Sequence, residues 1–269
     1  MIATNVEEKF VTMSHGRTRY LDAGVGHPTL LLHGVGFTGG ADNWFLNMGP
    51  LSEKLRVIAP DFLGWGLGDR LDLEYSFAYL VDFIREFQDV LGLSSSHIVG
   101  HSMGGWLATL LAYESPNRVD KLVLVASGGA ATRTLASMTQ FKAPTRDQLL
   151  SQLKSRIKNS DVDFEALADK EYAKAQIPGA VEAYQRILNH MNNPITRARY
   201  NTLRRMPYIT APTLVLWGRQ DSTNALELGQ QTHQLIKGSK MVIIEDCDHF
   251  IPTERPDEFN KALLDFLPD

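Results

Sequence analysis

The sequence predicts an α/β fold with a mostly parallel sheet and a helical insertion. Three observations carry this. Short continuous apolar runs are bounded by turn residues, as strands buried on both faces require. Amphipathic helical patterns lie between those runs. One long polar segment interrupts the alternation.

The elements follow in order. Residues 9–13 and 18–22 flank a Ser-His-Gly turn and predict a hairpin. Apolar runs at 29–32, 56–59, 97–99, 121–125, 213–217 and 241–244 each stop at turn residues or an aspartate, and each reads as a buried strand. Between them, 75–91 places Phe77, Leu80, Val81, Ile84, Phe87, Val90 and Leu91 at helical spacing. Helices are also expected at 106–114, which is apolar on most sides, and at 225–236 and 257–266. From 131 to 207 no buried strand is evident, and Pro144, Pro178, Pro194 and Pro207 punctuate a helix-prone stretch. We expect a core of 1–130 and 208–269, with 131–207 as a helical cap over the carboxyl edge of the sheet.

Composition narrows the function classes. At 269 residues, with 43% hydrophobic and 22% charged residues, the chain can bury a substantial core. A net charge of −4 and a pI near 6.1 leave no basic excess for nucleic acid. No apolar run approaches the ~18 residues of a membrane span, and the first residues lack a targeting pattern. Cys247 is the only cysteine, so an internal disulfide is impossible and a cytoplasmic setting is expected. The expected partner is a small-molecule substrate, with the protein a monomer or homodimer.

The chemistry is expected beyond the carboxyl ends of the strands. Gly100-His101-Ser102-Met103-Gly104 fits G-x-S-x-G between a strand and a helix, where a sharp turn exposes the serine hydroxyl. An ordinary glycine-rich turn with a helix-capping serine is the plainer alternative. The hydroxyl needs a base. His249 follows the last strand and is the expected one. Asp221, just past 213–217, is expected to orient it, with Asp246 and Asp248 as rivals. Backbone N–H groups of Met103 and Val35, with Gly36 as the rival, would form an oxyanion hole. His33 is expected to order its loop, and His101 to line the pocket or pack beneath it. No metal site is expected.

Taken together, "LLHGVG", "VIAPDFLGWGLGDR", "IVGHSMGG", "LVLWGRQD" and "DCDHF", in this order, resemble the α/β-hydrolase superfamily. The resemblance implies an eight-stranded, mostly parallel sheet flanked by helices and no cofactor. It covers essentially the whole chain outside the cap. "ADNWFLNMGPLSEKLRVIAPDFLGWG" and "VASGGA" resemble the meta-cleavage product hydrolases, which break a C–C bond in a vinylogous diketone. That likeness places Asn47 at a pocket asparagine. The chain differs in having His101 where that family has asparagine and Phe250 where it has tryptophan. It also lacks an evident cap arginine near residues 170–174.

These differences favour an ester hydrolase acting on an apolar substrate through an acyl-enzyme on Ser102. C–C hydrolysis of a ring-fission dienoate is the alternative, and a ligand receptor on the same scaffold a third reading. The expected pocket comprises His33, Gly34, Phe37, Asn47 and His101, with Trp106, Met138, Phe141 and Phe250 as further wall.

Overall fold

The computed structural model describes residues 6–131, 141–158 and 161–268. Eight strands form one sheet in the order β1-β2-β4-β3-β5-β6-β7-β8. β1 (Glu7–Met13) and β2 (Gly16–Ala23) make the antiparallel hairpin expected from the sequence, and β2 joins β4 (Arg56–Pro60) antiparallel. From β4 onward every pairing is parallel, through β3 (Pro28–Leu32), β5 (Ser96–His101), β6 (Val119–Val125), β7 (Thr213–Gly218) and β8 (Lys240–Ile244). Every residue of β5 and β7 is buried, which is why their sequences are continuous rather than alternating.

Helices cover both faces. α1 (Met48–Ser52) was not expected from the sequence. α2 (Phe77–Val90) starts where the Ser76 side chain accepts from the Tyr79 N–H. α3 (Met103–Glu114) begins three residues earlier than its apolar pattern suggests, directly after Ser102. Leu80 and Ile84 of α2 and Leu107 and Leu111 of α3 join Ile98 and Leu122 of the sheet in one core cluster. On the other face, Trp44, Met48 and Leu51 pack with Phe259 and Leu263 against Val99, Val123 and Leu216.

Between β6 and β7 the described chain is helical: α4 (Arg146–Arg156), α5 (Phe164–Ala175), α6 (Ala180–Asn192) and α7 (Pro194–Tyr200). A capping box of Thr145 and Gln148 starts α4, Asp163 caps α5, and Asn193 caps α7 ahead of a proline. Ala183, Ile187 and Met191 of α6 enter the same core as α2 and α3. His190 Nε2 accepts the Phe77 N–H at 3.0 Å, tying α6 to the start of α2. After β7 come α8 (Leu226–Leu235), α9 (Ile251–Glu254) and α10 (Pro256–Phe266). No helix among the described residues is long and apolar enough to cross a membrane.

This order places the ends of β3, β5, β7 and β8 along one edge. β3 has β4 on one side and β5 on the other, so the connections leave it in opposite directions and open a crevice there.

Candidate active site

Ser102 stands between β5 and α3 with φ 54° and ψ −112°, a conformation few side chains adopt. The turn is possible because its flanks have no Cβ. A Cβ on Gly104 would lie 2.1 Å from the Leu32 carbonyl oxygen, and one on Gly100 would lie 2.4 Å from that of Gly104. Helix and strand are therefore in backbone contact. Ser102 makes no helix-capping bond through its side chain, so the plainer reading of the motif fails.

The hydroxyl turns to His249 instead. Ser102 Oγ and His249 Nε2 are 2.9 Å apart. His249 Nδ1 is 2.9 Å from Asp221 Oδ2. With Nδ1–H donating to the carboxylate, Nε2 is free to accept the serine proton. Asp221 is itself fixed, because Oδ1 accepts the N–H groups of Thr223 and Asn224 at 2.9 and 2.7 Å. The rivals are engaged elsewhere. Asp248 accepts from Ser222 at 2.7 Å, and Asp246 is exposed.

His101 and His33 brace this arrangement. His101 Nε2–H donates to the His249 carbonyl at 2.8 Å, so it holds the loop that carries the base. Burial pushes its imidazole down to about 3, which keeps it neutral. His33 is fully buried, and burial pushes it down to about 4. Its Nδ1–H donates to Gly34 O at 2.8 Å while its Nε2 accepts from the Phe62 N–H at 3.0 Å. In a trans peptide the C=O and N–H point opposite ways, and no peptide bond among the described residues is cis. Holding Gly34 O toward His33 thus holds the Val35 N–H away from it. Trp65 Nε1 donates to Gly36 O at 3.0 Å and fixes the next turn of the loop. The loop runs against the serine, since a Cβ on Gly34 would lie 3.2 Å from Ser102 Cβ. Met103, as the first residue of α3, has no helical acceptor for its N–H.

Ser102 opens onto two cavities. The first, about 430 Å³, is lined by His33, Gly34, His101, Arg156 and Phe250. The second, about 360 Å³, is lined by Met103, Trp106, Gly128, Arg197 and Asn224. Val35 and Thr223 lie on both. Gly36 lines the first. Other expected pocket residues fall elsewhere. Asn47 lines neither cavity: it is fully buried and donates to Pro252 O and Asn260 Oδ1, fastening α1 to α10. Phe37 and Phe141 sit one layer back, against the Tyr184 ring at 5.2 and 4.6 Å. Met138 lies outside the described residues.

Sequence reasoning missed two arginines and an ion cluster. Arg156, the last residue of α4, stacks 3.8 Å above the centroid of the Phe250 ring. Arg197 belongs to α7. At the rim of the first cavity, buried Asp42 meets Arg19 at 2.8 Å, Lys170 at 2.7 Å and Lys174 at 3.4 Å. Burial pushes the Asp42 carboxyl up, but the charges of Lys174 and Arg19 outweigh it and hold it well below the usual range. Lys170 and Lys174, near the expected place of a cap arginine, are thus spent on Asp42.

Comparison with known proteins decides the family. A model described as the alpha/beta hydrolase fold matches residues 28–256. The chain belongs to the α/β-hydrolase family. Within it, the chain is 30% identical to a 2-hydroxy-6-oxononadienedioate/2-hydroxy-6-oxononatrienedioate hydrolase of Comamonas testosteroni, over 96% of each chain. It is 28% identical to a 2-hydroxy-6-oxo-6-phenylhexa-2,4-dienoate hydrolase of the same species, over 92% of this chain and 90% of the relative. The solved meta-cleavage product hydrolase of Pseudomonas fluorescens IP01 is 28% identical, with a TM-score of 0.82 over 96% of each chain.

These relatives overturn the expectation of an ester hydrolase. They are named for 2-hydroxy-6-oxo-dienoates, and so favour the C–C alternative. The differences that pointed to esters have a physical reading. His101 and Phe250 serve packing and loop support, and a cation reaches the cavity from α4 rather than from residues 170–174.

Proposed function

We propose that this α/β-hydrolase cleaves the C5–C6 bond of a 2-hydroxy-6-oxo-dienoate, the ring-fission product class, by addition of water. The observation that carries the reading is the position of Ser102 between two cavities, the first of which holds Arg156. A C–C substrate has two unlike halves flanking one carbonyl, and the site has a chamber for each.

The dienoate half occupies the first cavity, with its carboxylate on Arg156. Burial lowers the Arg156 pKa, a strain that a carboxylate relieves. Moving the enol proton from the 2-oxygen to C5 gives a ketone conjugated to a C–C double bond. Ser102 Oγ then attacks C6 while His249 Nε2 takes its proton and Asp221 steadies the imidazolium. The Val35 and Met103 N–H groups stabilise the oxyanion. Collapse breaks C5–C6 and sends the electron pair into the conjugated fragment. This dienolate takes the proton back from the His249 imidazolium and leaves as 2-hydroxypenta-2,4-dienoate, which frees His249 to act as base again. Water, deprotonated by His249, releases the acid from Ser102. The helices α4 to α7 act as a cap that shields both chambers from bulk water, and the single buried cysteine accords with a cytoplasmic setting.

The test uses the visible absorbance of the conjugated dienoate. Addition of the purified protein bleaches it. Colour that persists with active, folded protein overturns the reading.

A further inference from the structure

The second cavity contains a cation that the reaction as described does not use. Arg197 is 8% exposed and lines that cavity beside Ser102. Its guanidinium has five N–H groups. Nη1 donates to Met191 O at 3.2 Å and Nη2 to Ala131 O at 2.9 Å. Nε is buried and has no hydrogen-bond partner. Among the described residues no carboxylate lies within ion-pair distance of it. Glu227, the acid on the same cavity, is exposed at the rim. The Trp106 ring, 5.2 Å away, is the nearest compensation. A buried cation without an anion is costly, and burial alone lowers the Arg197 pKa. An apolar acyl group would leave that cost unrelieved. An anionic one would relieve it.

We propose that Arg197 binds a second carboxylate, on the acyl side of the scissile bond, so that the preferred substrate is a dioate. This rests on the C–C reading above and deepens it. Ser102 lies between the two arginine-bearing chambers, so a substrate with a carboxylate at each end is held with its central carbonyl at the hydroxyl. Cleavage adds one water and gives 2-hydroxypenta-2,4-dienoate and a dicarboxylic acid, which is succinate when two methylenes separate the carbonyl from the carboxylate.

The experiment measures kcat/KM for 2-hydroxy-6-oxononadienedioate and for 2-hydroxy-6-oxo-6-phenylhexa-2,4-dienoate on wild type, Arg197→Gln and Arg197→Lys. Wild type favours the dioate. Arg197→Gln lowers the dioate-to-phenyl ratio about 10- to 100-fold, the worth of a charge-assisted hydrogen bond, and Arg197→Lys restores part of it. An arginine that only braces residues 131 and 191 would lower stability and leave the ratio alone. An unchanged ratio, or a wild-type preference for the phenyl substrate, overturns the proposal. Should Arg197→Gln not fold, the wild-type preference and the Arg197→Lys ratio decide. If neither dienoate is cleaved, the C–C reading fails, and the carboxylate site is then read by calorimetry with succinate and butyrate. Tighter binding of succinate to wild type, lost in Arg197→Gln, supports the site, and equal binding of the two acids removes it.

Discussion

At the scale of single residues, the chemistry depends on atoms that are missing as much as on those present. Gly104 permits α3 to start against the backbone of β3, and that contact sets the strained turn at Ser102. Gly104→Ala puts a methyl where the Leu32 carbonyl stands, and neither backbone can move aside cheaply. Destabilisation of about 1–3 kcal/mol is expected, with most activity lost, and urea unfolding with a parallel assay reads both. An unchanged midpoint would mean that the turn is looser than drawn. Ser102, Asp221 and His249 were legible in the sequence because a motif and a chain order define them, and each follows a strand. Asn47 was misplaced because sequence position beside a pocket does not say which way a side chain turns. Its amide is consumed by Pro252 and Asn260. Arg156 and Arg197 were illegible for the opposite reason. Each sits in a polar helix among other basic residues, and only the lie of that helix over the sheet turns it inward.

At the scale of elements, the helices between β6 and β7 are attached to the sheet by charge as well as by packing. α5 reaches the core through Lys170 and Lys174, which meet Asp42 in the short 3-10 helix Ala41–Trp44. Lys174 also pairs with Glu171 at 2.6 Å, and Arg19 with Asp61 at 2.8 Å, so Asp42 is the shared member of a larger cluster. Asp42→Asn leaves buried cations short of an anion. A loss of about 3 kcal/mol is expected, with easier proteolysis of the segment carrying α5. Equal protease resistance in the variant would show that apolar packing alone holds that segment down. The strands were readable individually, since double burial forces continuous apolar runs of strand length. α1 and α9 were not, being too short to carry a helical period.

Across the whole molecule, two buried neutral histidines tie stability to pH. His33 and His101 are pushed down to about 4 and about 3, against ~6.5 for an unfolded histidine. Between those values the unfolded chain binds protons that the folded one refuses. Stability therefore falls as pH drops from about 6.5 toward 4, by up to ~1.4 kcal/mol per pH unit for each histidine. His101→Asn should remove one histidine's share of that slope, up to ~1.4 kcal/mol per pH unit, as read by denaturant midpoints across this range. A slope equal to that of wild type would show that His101 does not carry it. The family and the sheet were evident from motifs spread along most of the chain. The proposed bond was not, because it rests on Arg156 and Arg197, which lie in helices whose placement is a property of the folded whole.

That question is settled most directly by product analysis of a 2-hydroxy-6-oxo-dienoate incubated with wild type and Ser102→Ala. The account predicts that wild type yields 2-hydroxypenta-2,4-dienoate and the acyl acid in equal amounts. Ser102→Ala should be slower by about 10³-fold or more. A dienoate left intact by wild type, or cleaved equally by Ser102→Ala, would contradict it.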